Sequence, residues 1–168
     1  MLNVTIETPT EAIDLRPGVI VTRKAKPDDL TDLKEMIVAL AAHHGDVAET
    51  SIETLESDLF GPTPWITAFV AESERGIMGY AILVPLYRAQ EGKRGMELHH
   101  LYVKPEFRAQ GIGRHLIDKA KIHARMSGCA YLSVSAATGN FKAHRFYEQL
   151  DFVPRPVTGM RYTQVLTV

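Results

Sequence analysis

The order of hydrophobic runs predicts an α/β (α+β) domain, a central mixed, mostly antiparallel twisted sheet flanked by helices. Two patterns carry this reading. Trp65–Glu72 and Ile77–Pro85 are apolar runs of strand length on either side of a Ser73–Gly76 turn, which reads as an antiparallel hairpin. Met96–Val103, a glycine-bearing turn, an amphipathic run from Leu116 to Met126 and Tyr131–Ser135 follow in an order that places a parallel crossover in the middle of the sheet. Composition agrees: 45% of the 168 residues are hydrophobic and the net charge is −1, ordinary values for one domain with a sizeable core.

The elements follow in chain order. Residues 1–18 carry Pro9 and Pro17 and read as an extension, with a short strand at Asn3–Glu7; the domain proper is read as 19–168. Val19–Arg23 is a strand. Pro27 fits the first turn of a helix whose apolar face is Leu30, Leu33, Met36, Ile37 and Leu40, and Gly45 follows its end. Thr50-Ser51-Ile52-Glu53 has capping-box spacing before Ile52, Leu55, Leu59 and Phe60, and Gly61-Pro62-Thr63-Pro64 stops that helix. Arg88–Gly95 reads as a polar loop. After the glycine turn, Leu116, Ile117, Ala120 and Ala124 form one helix face, and Gly128 ends it. Phe141–Leu150 is a last helix, and Phe152–Pro154 with Tyr162–Val168 are read as closing strands.

Several function classes lose support at this level. No basic excess argues for a nucleic-acid partner. No apolar run approaches the ~20 residues of a membrane span, and no signal peptide is read. One cysteine, Cys129, allows no internal disulfide, which fits a cytoplasmic location. Cys129 is expected to be a buried structural thiol before a strand rather than a nucleophile. No Cys/His spacing suits zinc, and His99-His100 is not read as a metal pair, because neighbouring strand residues point to opposite faces. His43-His44 is read as a partly solvated helix end, and His115, His123 and His144 as surface or packing residues.

The run Arg108-Ala109-Gln110-Gly111-Ile112-Gly113-Arg114 lies between a strand and a helix start. Free backbone N–H groups and the helix dipole make such a turn an anion site, and glycine lets a phosphate come close. The spacing is not that of a P-loop, which needs Gly-Lys-Ser/Thr after four residues. Nor is it the dinucleotide fingerprint, since position 116 is Leu. The remaining pattern, Arg-x-x-Gly-x-Gly, resembles the pyrophosphate loop of the GNAT acetyltransferases. Asn140-Phe141-Lys142-Ala143-His144-Arg145-Phe146-Tyr147-Glu148-Gln149-Leu150-Asp151-Phe152 resembles a second signature of that family, with Asp151 where Gly is usual. Asp tolerates the left-handed conformation that such a helix stop requires. Val21–Leu30 is similar to the family's opening strand and first helix.

The resemblance implies the GNAT fold and acetyl-CoA as cosubstrate, with no metal. It implies that Arg108 to Arg114 and Asn140 contact CoA. It also implies that the backbone of Leu101, Tyr102 and Val103 pairs with the pantetheine arm. Tyr147 matches the motif tyrosine whose hydroxyl faces the CoA sulfur, with Phe146 as packing. The acceptor amine must lose a proton, because an alkylammonium has a pKa near 10.4 and only about one amine in a thousand is neutral at neutral pH. On an alternating strand Glu97, His99, Leu101 and Val103 share one face, and Leu98, His100 and Tyr102 the other. Glu97 and His99 match base positions in different branches of the family. A histidine needs less tuning.

Phe60-Gly61, Gly79-Tyr80-Ala81, Tyr87 and Leu101–Arg108 resemble the diamine (spermidine/spermine-type) branch in particular. That branch has Glu-Asp where this chain has His99-His100, and a Trp where it has Gly139. Losing two carboxylates removes the simplest anchor for a dication, although Glu49, Glu53, Glu56 and Asp58 offer acidity nearby in sequence. The expected activity is transfer of acetyl from acetyl-CoA to a primary amine, of a small molecule first, by direct attack in a ternary complex. A protein N-terminus or lysine is the rival acceptor, and a non-catalytic acyl-CoA-binding module the rival class. A homodimer is implied by resemblance alone.

Overall fold

A computed structural model of the chain describes residues 19–156 and 159–166. The expected 1–18 extension with its strand at Asn3–Glu7, and the end of the last expected strand at 167–168, lie outside them. The chain divides into two compact units, one up to Ser133 and one from Val134 onward.

The first unit is built as expected around an antiparallel ribbon. Strand β1 (Val21–Lys24) leads through a 3-10 turn, Pro27–Asp29, into α1 (Leu30–His44). Helix α2 (Ile52–Phe60), β2 (Thr67–Ser73), β3 (Gly76–Arg88), β4 (Lys93–Val103), α3 (Ile112–Met126) and β5 (Tyr131–Val134) follow. The sheet order is β1-β2-β3-β4-β5. The first four strands are antiparallel neighbours. The α3 crossover returns the chain beside β4 as β5, which makes the sheet mixed.

Helix α1 buries the five residues its period marked, Leu30, Leu33, Met36, Ile37 and Leu40. They pack with Leu55 and Leu59 of α2 against Ala68, Val70, Tyr80, Ile82 and Tyr102. On the other sheet face α3 buries Ile112, Leu116, Ile117, Ala120 and Ala124, and its His123 ring lies edge-on to Phe69 with centroids 5.2 Å apart. Leu116 is fully buried, so truncating it to Ala costs about 2–5 kcal/mol.

Two local expectations need correction. The α2 cap is Ser51, one residue later than the spacing suggested; its hydroxyl accepts from the Thr54 N–H at 3.1 Å. Arg88–Gly95 is not a loop: strand pairing runs out to Arg88↔Lys93, around a short turn at Ala89–Glu91. Charged side chains suit this solvated hairpin end, so polarity misled the strand reading. Gly95 there leaves room for the Tyr131 ring, which a Cβ would strike.

In the second unit α4 (Phe141–Glu148) is capped by Asn140, whose Oδ1 accepts from the Ala143 N–H at 3.1 Å. Asp151 adopts φ 65°. The N–H groups of Asp151 and Phe152 donate to Glu148 O and Tyr147 O. An aspartate therefore takes the left-handed stop position where the resembled signature has glycine. The expected closing strands at Phe152–Pro154 and from Tyr162 onward are absent among the described residues. Alternating apolar residues there, exposed as Val153, Tyr162 and Val165 are, have the strand pattern without a pairing edge.

Candidate active site

Strand β4 carries the candidate bases, and its register decides where they point. Leu98 pairs with Leu83 and His100 with Ile82, so the ladder shifts by one and His99 is the extra residue of a β-bulge. Cross-strand partners share a face. Glu97, His100 and Tyr102 therefore join Val84, Ile82 and Tyr80, while Leu98, Leu101 and Val103 join Leu83, Ala81 and Gly79. Strict alternation, with Glu97, His99, Leu101 and Val103 on one side, is overturned.

The His99 and His100 rings do not diverge either: they stack, with centroids 4.8 Å and planes 8° apart. His99 Nδ1 lies 3.9 Å from Glu97 Oε1, with side chains 55% and 31% exposed. An imidazole and a carboxylate at the strand surface thus adjoin, as a base and its orienting partner would.

His100 is the member of the trio set furthest inside. Its Nδ1 is 3.0 Å from the Tyr80 hydroxyl. Burial, then the charges of His99 and His44, push its pKa down to about 4. Burial, with Tyr102 beside it, pushes the Tyr80 hydroxyl above the usual phenol range. His100 lines a cleft of about 240 Å³ with Ile37, Leu40, Ala41 and His44 of α1, and Asp46, Ala48, Glu49 and Thr50 of the following loop. Of the four acids singled out in sequence, Glu49 lines this cleft. Asp46 joins it unannounced, because the α1–α2 connection has no period to read, while His44, read in sequence as a partly solvated helix end, continues the Ile37, Leu40 and Ala41 face of α1 into the cleft.

The glycine turn has the geometry its spacing suggested. Gly111 is the α3 N-cap with φ 81° and no side-chain cap bond, and the first turn holds no acid. By contrast, α2 is capped by Ser51 and carries Glu53 in its first turn. A Cβ on Gly111 would meet nothing within 4 Å. The N–H groups of Ile112, Gly113 and Arg114 open the helix and have no intrahelical acceptor, the arrangement that an anion site uses. Ala109 also has positive φ, 60°. Arg108 Nε donates to Val103 O at 2.9 Å, and Gln110 Nε2 to Glu106 O at 3.2 Å. These two side chains brace the loop.

Within the second unit, Tyr147 is half-buried, with Phe152 edge-on at 5.7 Å and Phe146 at 5.5 Å. Burial raises its hydroxyl pKa, so the phenol holds its proton at neutral pH, as an acid must. Asn140 spends its side-chain oxygen on the helix cap. Cys129 is partly exposed rather than buried, since it sits at the α3 exit, where its N–H donates to Ala124 O at 2.9 Å. His144 Nε2 is 3.0 Å from Ala137 O, a local packing role.

The chain is similar to known proteins over most of its length. Residues 35–152 match the model of the Acetyltransferase (GNAT) family. Thialysine N-epsilon-acetyltransferase of Bos taurus is 33% identical over 141 residues, covering 78% of this chain and 82% of the relative. An uncharacterized N-acetyltransferase of Archaeoglobus fulgidus is 30% identical over 144 residues, covering 82% and 95%. Among solved structures, an aminoglycoside acetyltransferase from an uncultured soil metagenomic sample, in complex with sisomicin, superposes with a TM-score of 0.74 at 21% identity, covering 87% and 97% of the two chains. The glycine turn, the bulged strand and the helix with its aspartate stop all lie inside the matched span, and the chain belongs to the GNAT family of acetyltransferases.

Proposed function

We propose that residues 19–168 form one N-acetyltransferase domain that moves an acetyl group from acetyl-CoA to a primary amine of a small molecule, by direct attack in a ternary complex. The observation that carries this is within the first unit: an uncapped, acid-free helix start at Gly111 follows the same strand that lines the Ile37–His100 cleft. Acetyl-CoA brings the activated acetyl thioester. The main chain at Gly111–Arg114 holds its diphosphate, and Leu101 to Val103 offer backbone to its arm.

The protein's own side chains manage protons. His99, with Glu97 beside it, takes the proton that the acceptor ammonium must lose. Tyr147 supplies a proton to the departing thiolate. A cleft of about 240 Å³ is smaller than drug-sized pockets of roughly 300–1,000 Å³ and suits an acceptor of amino-acid size. The thialysine acetyltransferase relatives support the same small-molecule reading. The test is thiol release from acetyl-CoA across a panel of small amines and of peptides with free N-termini or lysines. Turnover of small amines supports this reading; turnover of peptides alone overturns the acceptor class. Binding of CoA with no turnover of anything makes the chain a binding module.

A further inference from the structure

We propose that His100 is an acceptor-binding residue, held by the Tyr80 hydroxyl in the tautomer that carries its proton on Nε2, and that it presents this N–H to an oxygen atom of the amine substrate. The proposal rests on the acetyltransferase reading of the cleft. Tyr80 is fully buried, and its hydroxyl proton needs an acceptor, since a buried O–H left unpaired keeps its full desolvation cost. Among the described residues its hydrogen-bond partner is His100 Nδ1, at 3.0 Å. The imidazole nitrogen facing Tyr80 must then be the unprotonated one, and the ring's proton sits on Nε2.

The depressed pKa of His100 is consistent with that neutral state. Titratable neighbours facing this group are His44 of α1, Asp46 and Glu49 of the following loop, Tyr80 of β3, and Glu97, His99 and Tyr102 of β4. In this tautomer His100 has no lone pair for the amine proton, so it is a donor and not the base. The cleft then offers one fixed N–H, two carboxylates and an apolar wall of Ile37, Leu40 and Ala41. That set fits an amine whose chain also bears a carboxylate, amide or hydroxyl oxygen and a second cationic group. A plain diamine leaves the His100 N–H unpaired, and sites built around a hydrogen bond discriminate strongly against ligands that lack it.

Two measurements test this. Nitrogen-15 NMR of the ligand-free protein should find His100 unprotonated at Nδ1 and protonated at Nε2 between about pH 5 and 8; Y80F should mix the tautomers and raise the titration midpoint. A proton on Nδ1 in the wild type overturns the proposal. In turnover, L-lysine should exceed pentane-1,5-diamine, its decarboxylated counterpart, by tenfold or more in kcat/KM, mostly through KM. H100A should bring the ratio near one, and H100Q, which keeps a donor, should restore part of it. A selective wild type whose ratio survives H100A sinks the donor role alone. A wild type that acetylates no amine sinks the reading of the site, and the acceptor role with it.

Discussion

His99 and His100 are consecutive on one strand, yet their rings stack 4.8 Å apart at 8°. Consecutive residues of a regular strand point to opposite faces. The bulge at His99, between the pairs Leu98↔Leu83 and His100↔Ile82, puts Glu97 and His100 on one face of the sheet, where His100 lines the cleft and the His99 ring stacks on it. One inserted residue thus converts an alternating pattern into a cluster of three proton-carrying groups.

The base follows from that cluster. If His99 takes the amine proton, kcat/KM rises with pH as the base loses its own proton, and H99A removes that limb of the kcat/KM–pH profile. E97Q does so instead if the carboxylate is the base. Profiles collected with one acceptor amine check this. An unchanged profile in the double mutant means neither side chain is the base.

Tyr147→Phe keeps the half-buried ring and removes the hydroxyl. Loss of a general acid is worth about 10²-fold or more in kcat. Presteady-state measurement of the chemical step with acetyl-CoA checks the value, and an unchanged rate leaves Tyr147 a packing residue between Phe146 and Phe152.

Gly111→Val should weaken CoA binding at least tenfold by calorimetry. Its Cβ meets no protein atom, so the fold tolerates the bulk. The left-handed backbone at φ 81° adds strain of roughly 1–2 kcal/mol for an L-residue. Gly111→Ala carries the same kind of strain with less bulk and should lose less affinity.

Asp29 is 3% exposed. Its carboxylate accepts from both Arg23 terminal nitrogens, at 2.6 and 2.9 Å, and from the Lys26 N–H at 2.8 Å. Burial pulls its pKa up, but the Arg23 and Lys26 hydrogen bonds prevail and hold it below 3.8. The folded value lies under the unfolded one, so this stabilisation is present above the unfolded value and lost as pH falls through the folded value. Asp29→Ala should cost about 3 kcal/mol in urea unfolding at neutral pH, with a smaller deficit in acid.

His100 adds an acid-sensitive component at higher pH. Its folded pKa of about 4 lies below the ordinary 6.5, so the unfolded chain gains a proton first and stability falls between those two values as pH drops. His123, lowered by burial and then by Lys24 and Lys119, acts with the same sign. The difference between wild type and H100Q isolates His100: the variant should lose less stability across that window in urea titrations.

Periodicity and turn chemistry were enough to locate the α1 and α3 faces, the hairpin and the glycine turn, and the family signature marked Asp151 as a left-handed stop, because each depends on contacts within a few residues. The family motifs placed Tyr147 and Asn140 on one helix for the same reason. Tertiary structure decided the rest. A bulge is a mismatch in length between two paired strands, and neither strand carries it alone. Hence His100, set aside on the assumption of alternation, lines the cleft, and Leu101 parts company with Glu97. Asp46 and His44 reach the cleft because α1 packs on β3 across the sheet face, a contact between segments far apart in the chain. The closing strands failed for a related reason: alternation gives a segment the pattern of a strand, but a neighbouring edge must supply its hydrogen bonds.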